Sequence, residues 1–423
     1  MLKNTNLFRS SAISLMAVFM TPISLPEAVQ QALQFDPSIS EARAIVDREK
    51  AGISAAQANR LVTIGVQGQL GVTETDFTTS SISQNPQQIG LQAEIPIYQS
   101  GALRASIDAS KSASLAAENN LAGTNEKIAL ATVEAYANAW LADRIYEVSA
   151  EQVKTFEIRL EETRSRMAQG LVTKTDIALT EARLASAQAR HATNQAALIA
   201  AQAKLARLTG IDDPRPVTAF DHNLPLPANF DDAMAEILQA NPDLAAAKAM
   251  AQSAGYRVQQ TKGQFGPKLI LSARASRTEE SYFFFNQPVE DVGAFVGFEM
   301  PLFTSGLRGA KIREARAGEA QAQAGARRAE LQLREAVAGL WGNLQARRQS
   351  LNAAMRAEEA ARLAAKGAQK EYEAGIRTLV EALDAENDYR DAQIARYREH
   401  VALFIAEARL LSLASKLEET IAP

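Results

Sequence analysis

The sequence predicts a mainly α-helical chain in which two long coiled-coil hairpins each follow a pair of β-strands, the whole built as an internal repeat. Three observations predict this class: blocks that recur at one fixed offset, two proline-free Ala-rich stretches with helical periodicity, and four short runs of apolar–polar alternation.

The repeat has a single offset. Pro37, in Phe-Asp-Pro, recurs as Pro242 in Ala-Asn-Pro, and 242 − 37 = 205. At that spacing Ile95-Pro96-Ile97-Tyr98-Gln99-Ser100-Gly101 recurs as Met300-Pro301-Leu302-Phe303-Thr304-Ser305-Gly306. Tyr136 likewise maps to Trp341, Gly170 to Gly375, and Ala187-Gln188 to Ala392-Gln393. Anchors that keep one spacing without a gap mark a duplication. Repeat 1 spans 25–210 and repeat 2 spans 230–417, followed by a tail at 418–423. Between them, residues 211–229 hold Pro214, Pro216, Pro225 and Pro227, which remove donors and fix φ. A linker is expected there.

Each copy has the same internal order. A short helical stretch opens it, Pro26 to Arg60 and Asn229 to Gly263. A strand hairpin follows, 62–98 and 267–303. Ile64, Val66 and Leu70 alternate with Gly65, Gln67 and Gln69, and Ile89, Leu91, Ala93 and Ile95 alternate with Gly90, Gln92 and Glu94. In the second copy Leu269, Leu271, Ala273 and Ala275 alternate with Ser272, Arg274 and Ser276. Val292, Ala294, Val296 and Phe298 alternate with Gly293 and Gly297. A polar loop rich in Thr and Ser joins the first pair. Runs of about 9–12 residues suit tilted strands that cross a bilayer, although alternation alone fits a soluble hairpin on a core equally well. Four strands cannot close a barrel, which needs about eight, so strands would have to be pooled across chains. The aromatic loop with Tyr282, Phe283, Phe284 and Phe285 suits a membrane interface or a plain hydrophobic contact.

Long helices come next, 102–169 and 307–374. The first has no Pro and a single Gly, Gly123, which gives a rod of about 100 Å. Val133, Tyr136 and Trp140, then Val153, Phe156 and Leu160, recur at coiled-coil steps. Return helices follow at 173–208 and 378–413. In the first, Ile177, Leu184, Leu198 and Leu205 share one heptad position, with Ala at many others.

Composition narrows the function. The 423 residues are 47% hydrophobic and 22% charged with net charge -4, so no basic field recruits nucleic acid. Cysteine is absent, which removes disulfides, thiolate metal sites, Cys nucleophiles and a lipid-anchored N-terminal Cys. Lys3 and Arg9 before the apolar run Ala12 to Met20 predict a signal peptide over 1–24, cut near Ser24. No later segment is long and apolar enough for a spanning helix, so a membrane could be crossed only by a closed barrel. His191, His222 and His400 are scattered without metal or catalytic spacing, and no phosphate loop or nucleophile motif is present, so no enzyme, metal or cofactor is expected.

Two tip motifs complete the pattern: Gly170-Leu171-Val172-Thr173-Lys174-Thr175-Asp176, and Gly375-Ile376-Arg377-Thr378-Leu379-Val380-Glu381-Ala382-Leu383-Asp384-Ala385. With the duplicated turns that end in Ser-Gly, they resemble the TolC family of outer-membrane efflux and secretion proteins, from Leu25 to about Leu417. The resemblance implies a homotrimer with a twelve-stranded barrel in outer-membrane lipid, continued by a helical tunnel across the periplasm. It implies a tip closed at rest and opened when a periplasmic adaptor and an inner-membrane ABC or proton-driven transporter dock. The missing lipid-anchor Cys and the wording Glu381-Ala-Leu-Asp-Ala-Glu386 are more similar to type I protein secretion ducts than to multidrug efflux ducts, which remain the alternative. A soluble periplasmic coiled-coil scaffold is the competing class.

Residue roles follow by position. Glu381 and Asp384, at i and i+3 on one helix face, would form a pore constriction, with Glu381 departing from the family's aspartate. Without the resemblance, a solvated acidic helix face is the simpler account of these two carboxylates. Arg377 would pair with Asp176 or Thr175, and Tyr372 would hydrogen-bond to Asp176, latching the gate. Gly170, Leu171, Gly375 and Ile376 would be the adaptor-docking tips.

Overall fold

The computed structural model of the chain describes residues 21–77, 80–217, 224–279 and 287–422. The apolar run of the expected signal peptide and the aromatic loop residues Tyr282 to Phe285 lie outside the described residues.

The chain opens with β1 (Thr21–Ile23) and two helices, α1 (Leu25–Phe35) and α2 (Pro37–Ala58). The single helical stretch expected here is broken in two because Pro37 has no N–H to continue α1, while the Asp36 side chain accepts from the Ser38 amide at 2.8 Å to start α2. Strands β2 (Thr63–Leu70), β3 (Thr73–Phe77), β4 (Ser80–Gln84) and β5 (Gln87–Gln99) follow. The Thr/Ser-rich segment, expected as a loop, instead forms the antiparallel β3–β4 ribbon; β-branched Thr73 and Thr75 suit an extended backbone. Two long elements come next, α3 (Ala102–Ala168) and α4 (Lys174–Thr209).

The proline-rich linker carries β6 (Pro214–Pro216), which pairs parallel with β1. This fixes the segment near Ser24: Ile23 is buried and its carbonyl accepts from the Tyr136 hydroxyl at 3.1 Å. The second copy then repeats the first as α5 (Phe230–Ala240), α6 (Pro242–Gln264), β7 (Lys268–Glu279), β8 (Val289–Glu299), α7 (Leu307–Glu373) and α8 (Leu379–Leu413), with α9 (Leu417–Ile421) at the end. The repeat extends to the cap residues. Asp36 answers to Asn241, whose side chain accepts from the Leu244 amide, and Gly101 answers to Gly306. Both long helices contain 67 residues, or about 100 Å of rod.

The Ser-Gly turns that feed these rods have a definite geometry. Ser100 and Gly101, like Ser305 and Gly306, occupy consecutive left-handed positions, with φ of 47° and 79° in the first copy. Glycine takes the second without steric cost. The Ser100 hydroxyl donates to the Pro267 carbonyl at 2.7 Å, so the turn of one copy is tied to the entry of β7 in the other.

The main sheet has strand order β2-β5-β7-β8, antiparallel throughout. Its register separates two faces. One carries the rows Val66–Leu91–Ala275–Val292, Ile64–Ala93–Ala273–Ala294 and Ile95–Leu271–Val296. The other carries Gln67–Gly90–Ser276–Asp291, Gly65–Gln92–Arg274–Gly293 and Thr63–Glu94–Ser272–Phe295. Val66 is 69% exposed and Val292 83%, so nothing among the described residues covers the apolar face.

Helices bury three apolar cores. The first joins Val29, Val133, Tyr136, Leu205, Phe404 and Leu417, drawing both copies and the C-terminal helix together. A second joins Ile237, Leu244, Val337, Leu344 and Leu410. The third lies toward the helical tips, around Phe156, Ala187, Tyr372, Leu379 and Leu383. His191 is a packed coiled-coil residue, stacked on Tyr146 with ring centroids 4.6 Å apart and sharing a hydrogen bond with Ser149.

Two predictions follow from close packing and burial. A Cβ on Gly263 would lie 2.8 Å from the Ser100 carbonyl oxygen and the Ala102 nitrogen, whereas one on Gly52 would meet nothing within 4 Å. Gly263→Ala is expected to cost about 1–3 kcal/mol through backbone shifts, and Gly52→Ala, in mid-helix α2, to be neutral or stabilising. Urea midpoints of the two variants compare them directly. Glu126 is buried under α9, and burial pushes its carboxyl up to about 7, opposed by the amides of Glu418 and Leu417. Because its folded pKa is raised, the stability it lends is present below about pH 4.5 and is lost as pH rises through 7. Hydrogen exchange in α9, corrected for intrinsic rate, should therefore quicken between pH 5 and pH 8, and Glu126→Gln should flatten that dependence.

Candidate gate at the helical tips

Each helical hairpin turns by the same device. After α3, the Gly170 amide donates to the Met167 carbonyl at 2.8 Å and the Leu171 amide to the Arg166 carbonyl at 3.0 Å. After α7, Gly375 donates to Tyr372 at 2.9 Å and Ile376 to Glu371 at 2.8 Å. These are paired Schellman closures, and the left-handed glycine at φ 76° in each makes them possible. Leu171 and Ile376 then project from the tips, 68% and 78% exposed.

The return helices start with matching capping boxes. Asp176 Oδ2 accepts from the Thr173 amide at 2.8 Å and its hydroxyl at 2.9 Å, while the Asp176 amide donates back to Thr173 Oγ1. Glu381 Oε2 does the same for Thr378, at 3.0 and 2.8 Å. Thr378's amide and hydroxyl, with Arg377 nearby, hold the Glu381 carboxyl below its ordinary range. Asp176 and Glu381 thus occupy equivalent positions and do equivalent work. The expected division between them, one as latch acceptor and one as pore carboxylate, is not present in the single chain.

The expected latch pairs are also not formed within the chain. Arg377 Nε meets Glu371 Oε2 at 2.8 Å, across its own tip, and the Asp176 carboxylate is already held by Thr173. Thr175 lies exposed in the first turn of α4. Tyr372 is buried, with the Arg166 guanidinium 4.7 Å from its ring centroid, a contact between the two hairpins rather than a bond to Asp176.

What fastens the hairpins is a polar stripe that the sequence did not suggest. On α8, residues 384, 387 and 390 follow three-residue steps along one side. Arg183 of α4 donates to Asp384 at 2.7 Å, Gln152 of α3 donates to Asn387 at 2.6 Å, and Arg390 donates to Glu151 of α3 at 3.0 Å. The apolar core around Phe156, Ala187, Ala382 and Leu383 lies beneath these bonds. Arg183 aligns with Asp388 in the other copy and Asp384 with Leu179, so a break in the repeat was the available signal. No group of three or more His, Cys, Asp or Glu residues among the described residues could hold a metal ion.

Comparison with known proteins agrees with this architecture. The family model described as outer membrane efflux protein matches residues 28–211 and 233–415, once for each copy. Outer membrane efflux protein BepC of Brucella suis is 26% identical over 345 residues, 81% of this chain and 74% of that protein. Alkaline protease secretion protein AprF of Pseudomonas aeruginosa is 28% identical over 207 residues, 48% of this chain and 43% of that protein. The solved outer-membrane channel OprN superposes with a TM-score of 0.81 at 21% identity, covering 93% of this chain and 90% of that one, which shows a shared fold. No described helix is long and apolar enough to cross a membrane. The chain is a transport protein rather than an enzyme, and it belongs to the outer membrane efflux protein family, located in the outer membrane and extending into the periplasm.

Proposed function

We propose that three copies of the chain form the exit duct of a tripartite export machine, with a twelve-stranded barrel in the outer membrane and a helical tunnel below it. The observation that carries this is the four-stranded sheet. Among the described residues its apolar face is uncovered, and β2 and β8 are unpaired edges. A sheet edge is intolerable in lipid, and pairing β8 of one copy with β2 of the next removes every edge. Strands of 8 to 13 residues, tilted, span about 25 Å of apolar membrane. The polar face of Gln67, Gln92, Ser272 and Arg274 then lines the lumen. The cut expected near Ser24 is placed instead before Thr21, since β1 pairs with β6 and Ile23 is buried in the folded core.

The machine is assigned to type I protein secretion. The absence of cysteine, the Glu381–Glu386 wording and the similarity to a protein named for alkaline protease secretion support this. An adaptor docks at the tips formed by Gly170, Leu171, Gly375 and Ile376, and a transporter in the inner membrane supplies the energy. Asp384 and Glu381 face the tunnel constriction. Any pairing of Arg377 with Asp176 or Thr175 belongs to contacts between neighbouring copies, and the stripe at 384, 387 and 390 holds the two hairpins of each copy together.

Two outcomes are expected. Deleting the gene should remove a polypeptide from the culture supernatant while leaving susceptibility to small hydrophobic drugs unchanged; an unchanged secretome with heightened susceptibility would mean an efflux duct instead. The double variant Gln152→Ala/Arg390→Ala should raise single-channel conductance in planar bilayers several-fold. Conductance equal to that of the unmodified protein would remove the stripe from the gate.

A further inference from the structure

We propose that Arg183 is a charge-masking residue for Asp384, so that the cation preference of the constriction is low while the hairpins are docked and rises when they separate. This rests on the reading of Asp384 as a constriction residue. The geometry is direct: Arg183 Nη2 lies 2.7 Å from Asp384 Oδ1, joining α4 of the first hairpin to α8 of the second. Among the described residues, Asp384 has no other hydrogen-bond or ion-pair partner. A guanidinium at that distance reduces the carboxylate's far field to that of a dipole, and both side chains remain about half-exposed, at 38% and 49%, so parting them costs little.

The repeat supplies an internal comparison. Positions that build the tips are the same in both copies: Gly170 and Gly375, Thr173 and Thr378, Asp176 and Glu381. The bridge is different. Arg183 aligns with Asp388 and Asp384 with Leu179, so neither residue is needed to make a hairpin turn and neither copy could form this bridge with itself. The other acidic residue of the site, Glu381, is held by Thr378 and lies near Arg377. In the docked arrangement Asp384 therefore carries a paired counter-charge, while Glu381 is held by the neutral groups of Thr378, and Arg377 is paired with Glu371. When α8 moves away from α4, Asp384 alone loses its counter-charge, three times around the tunnel. The lumen becomes negative at the moment it opens, which admits cationic segments and repels anionic ones.

The test uses the full-length protein in planar bilayers, with cobalt hexammine added from the tip side as the blocking cation. Arg183→Gln should strengthen block about ten-fold, Asp384→Asn should weaken it by a similar factor, and the double variant should match Asp384→Asn alone. Arg183→Lys should stay near the unmodified protein, which separates charge from packing. If Arg183→Gln leaves block unchanged while Asp384→Asn weakens it, the constriction reading stands and the masking is wrong. An Arg183→Gln effect that persists in the Asp384→Asn background would overturn masking as a loosened structure. Unchanged block in Asp384→Asn removes the constriction reading and the masking with it.

Discussion

The structure depends on one constraint: a four-stranded sheet with one apolar face and two bare edges has no stable environment as a single chain. Water leaves Val66, Leu91 and Val292 exposed, and lipid leaves the outward amides and carbonyls of β2 and β8 unpaired. The proposed closure by further copies would satisfy both at once. Each rod leaves the sheet through a left-handed Ser-Gly turn, so the sheet sets where both long helices begin. The Ser100 bond to Pro267 shows that the copies are interleaved at that junction and are not two beads on a string.

Duplication explains the scaffold, and departure from duplication explains the bonds between the two hairpins. Helix starts are set by side chains that recur at the repeat offset, Thr173 with Thr378 and Asp36 with Asn241. Capping is a local requirement of any helix, so it persists in both copies. The bonds that hold one hairpin to the other do not recur at the repeat offset, where Arg183 aligns with Asp388, Gln152 with Ala357 and Asp384 with Leu179. Arg183 with Asp384 and Gln152 with Asn387 are of this kind, and they lie over an apolar core that packs but does not lock.

Much of this was legible in the sequence because its signals are local. Strand alternation gave the two sheet faces, and proline, glycine and threonine stand at the ends of the helices. The β3–β4 ribbon was missed because Thr and Ser are turn formers and strand residues alike, and the pairing of Thr75 with Ile82 depends on a register that composition does not carry. The break at Asp36-Pro37 was visible and under-weighted. The partners that Arg377 and Asp176 take within the single chain were not legible from position. Position alone does not reveal that the Asp176 carboxylate is already occupied by Thr173, or that Glu371 is nearer to Arg377. Arg183 was illegible for another reason: its partner is 201 residues away, and one arginine on a half-exposed helix face resembles any other.

Closure of the sheet is the claim on which the rest stands, and the mass of the complex extracted from the outer membrane tests it most directly. Native mass spectrometry in a mild detergent should give three copies of a chain slightly lighter than 45.6 kDa, with no free monomer until the sample is heated. A monomer or dimer as the extracted species would leave β2 and β8 unpaired or too few strands to surround a lumen, and would contradict the account.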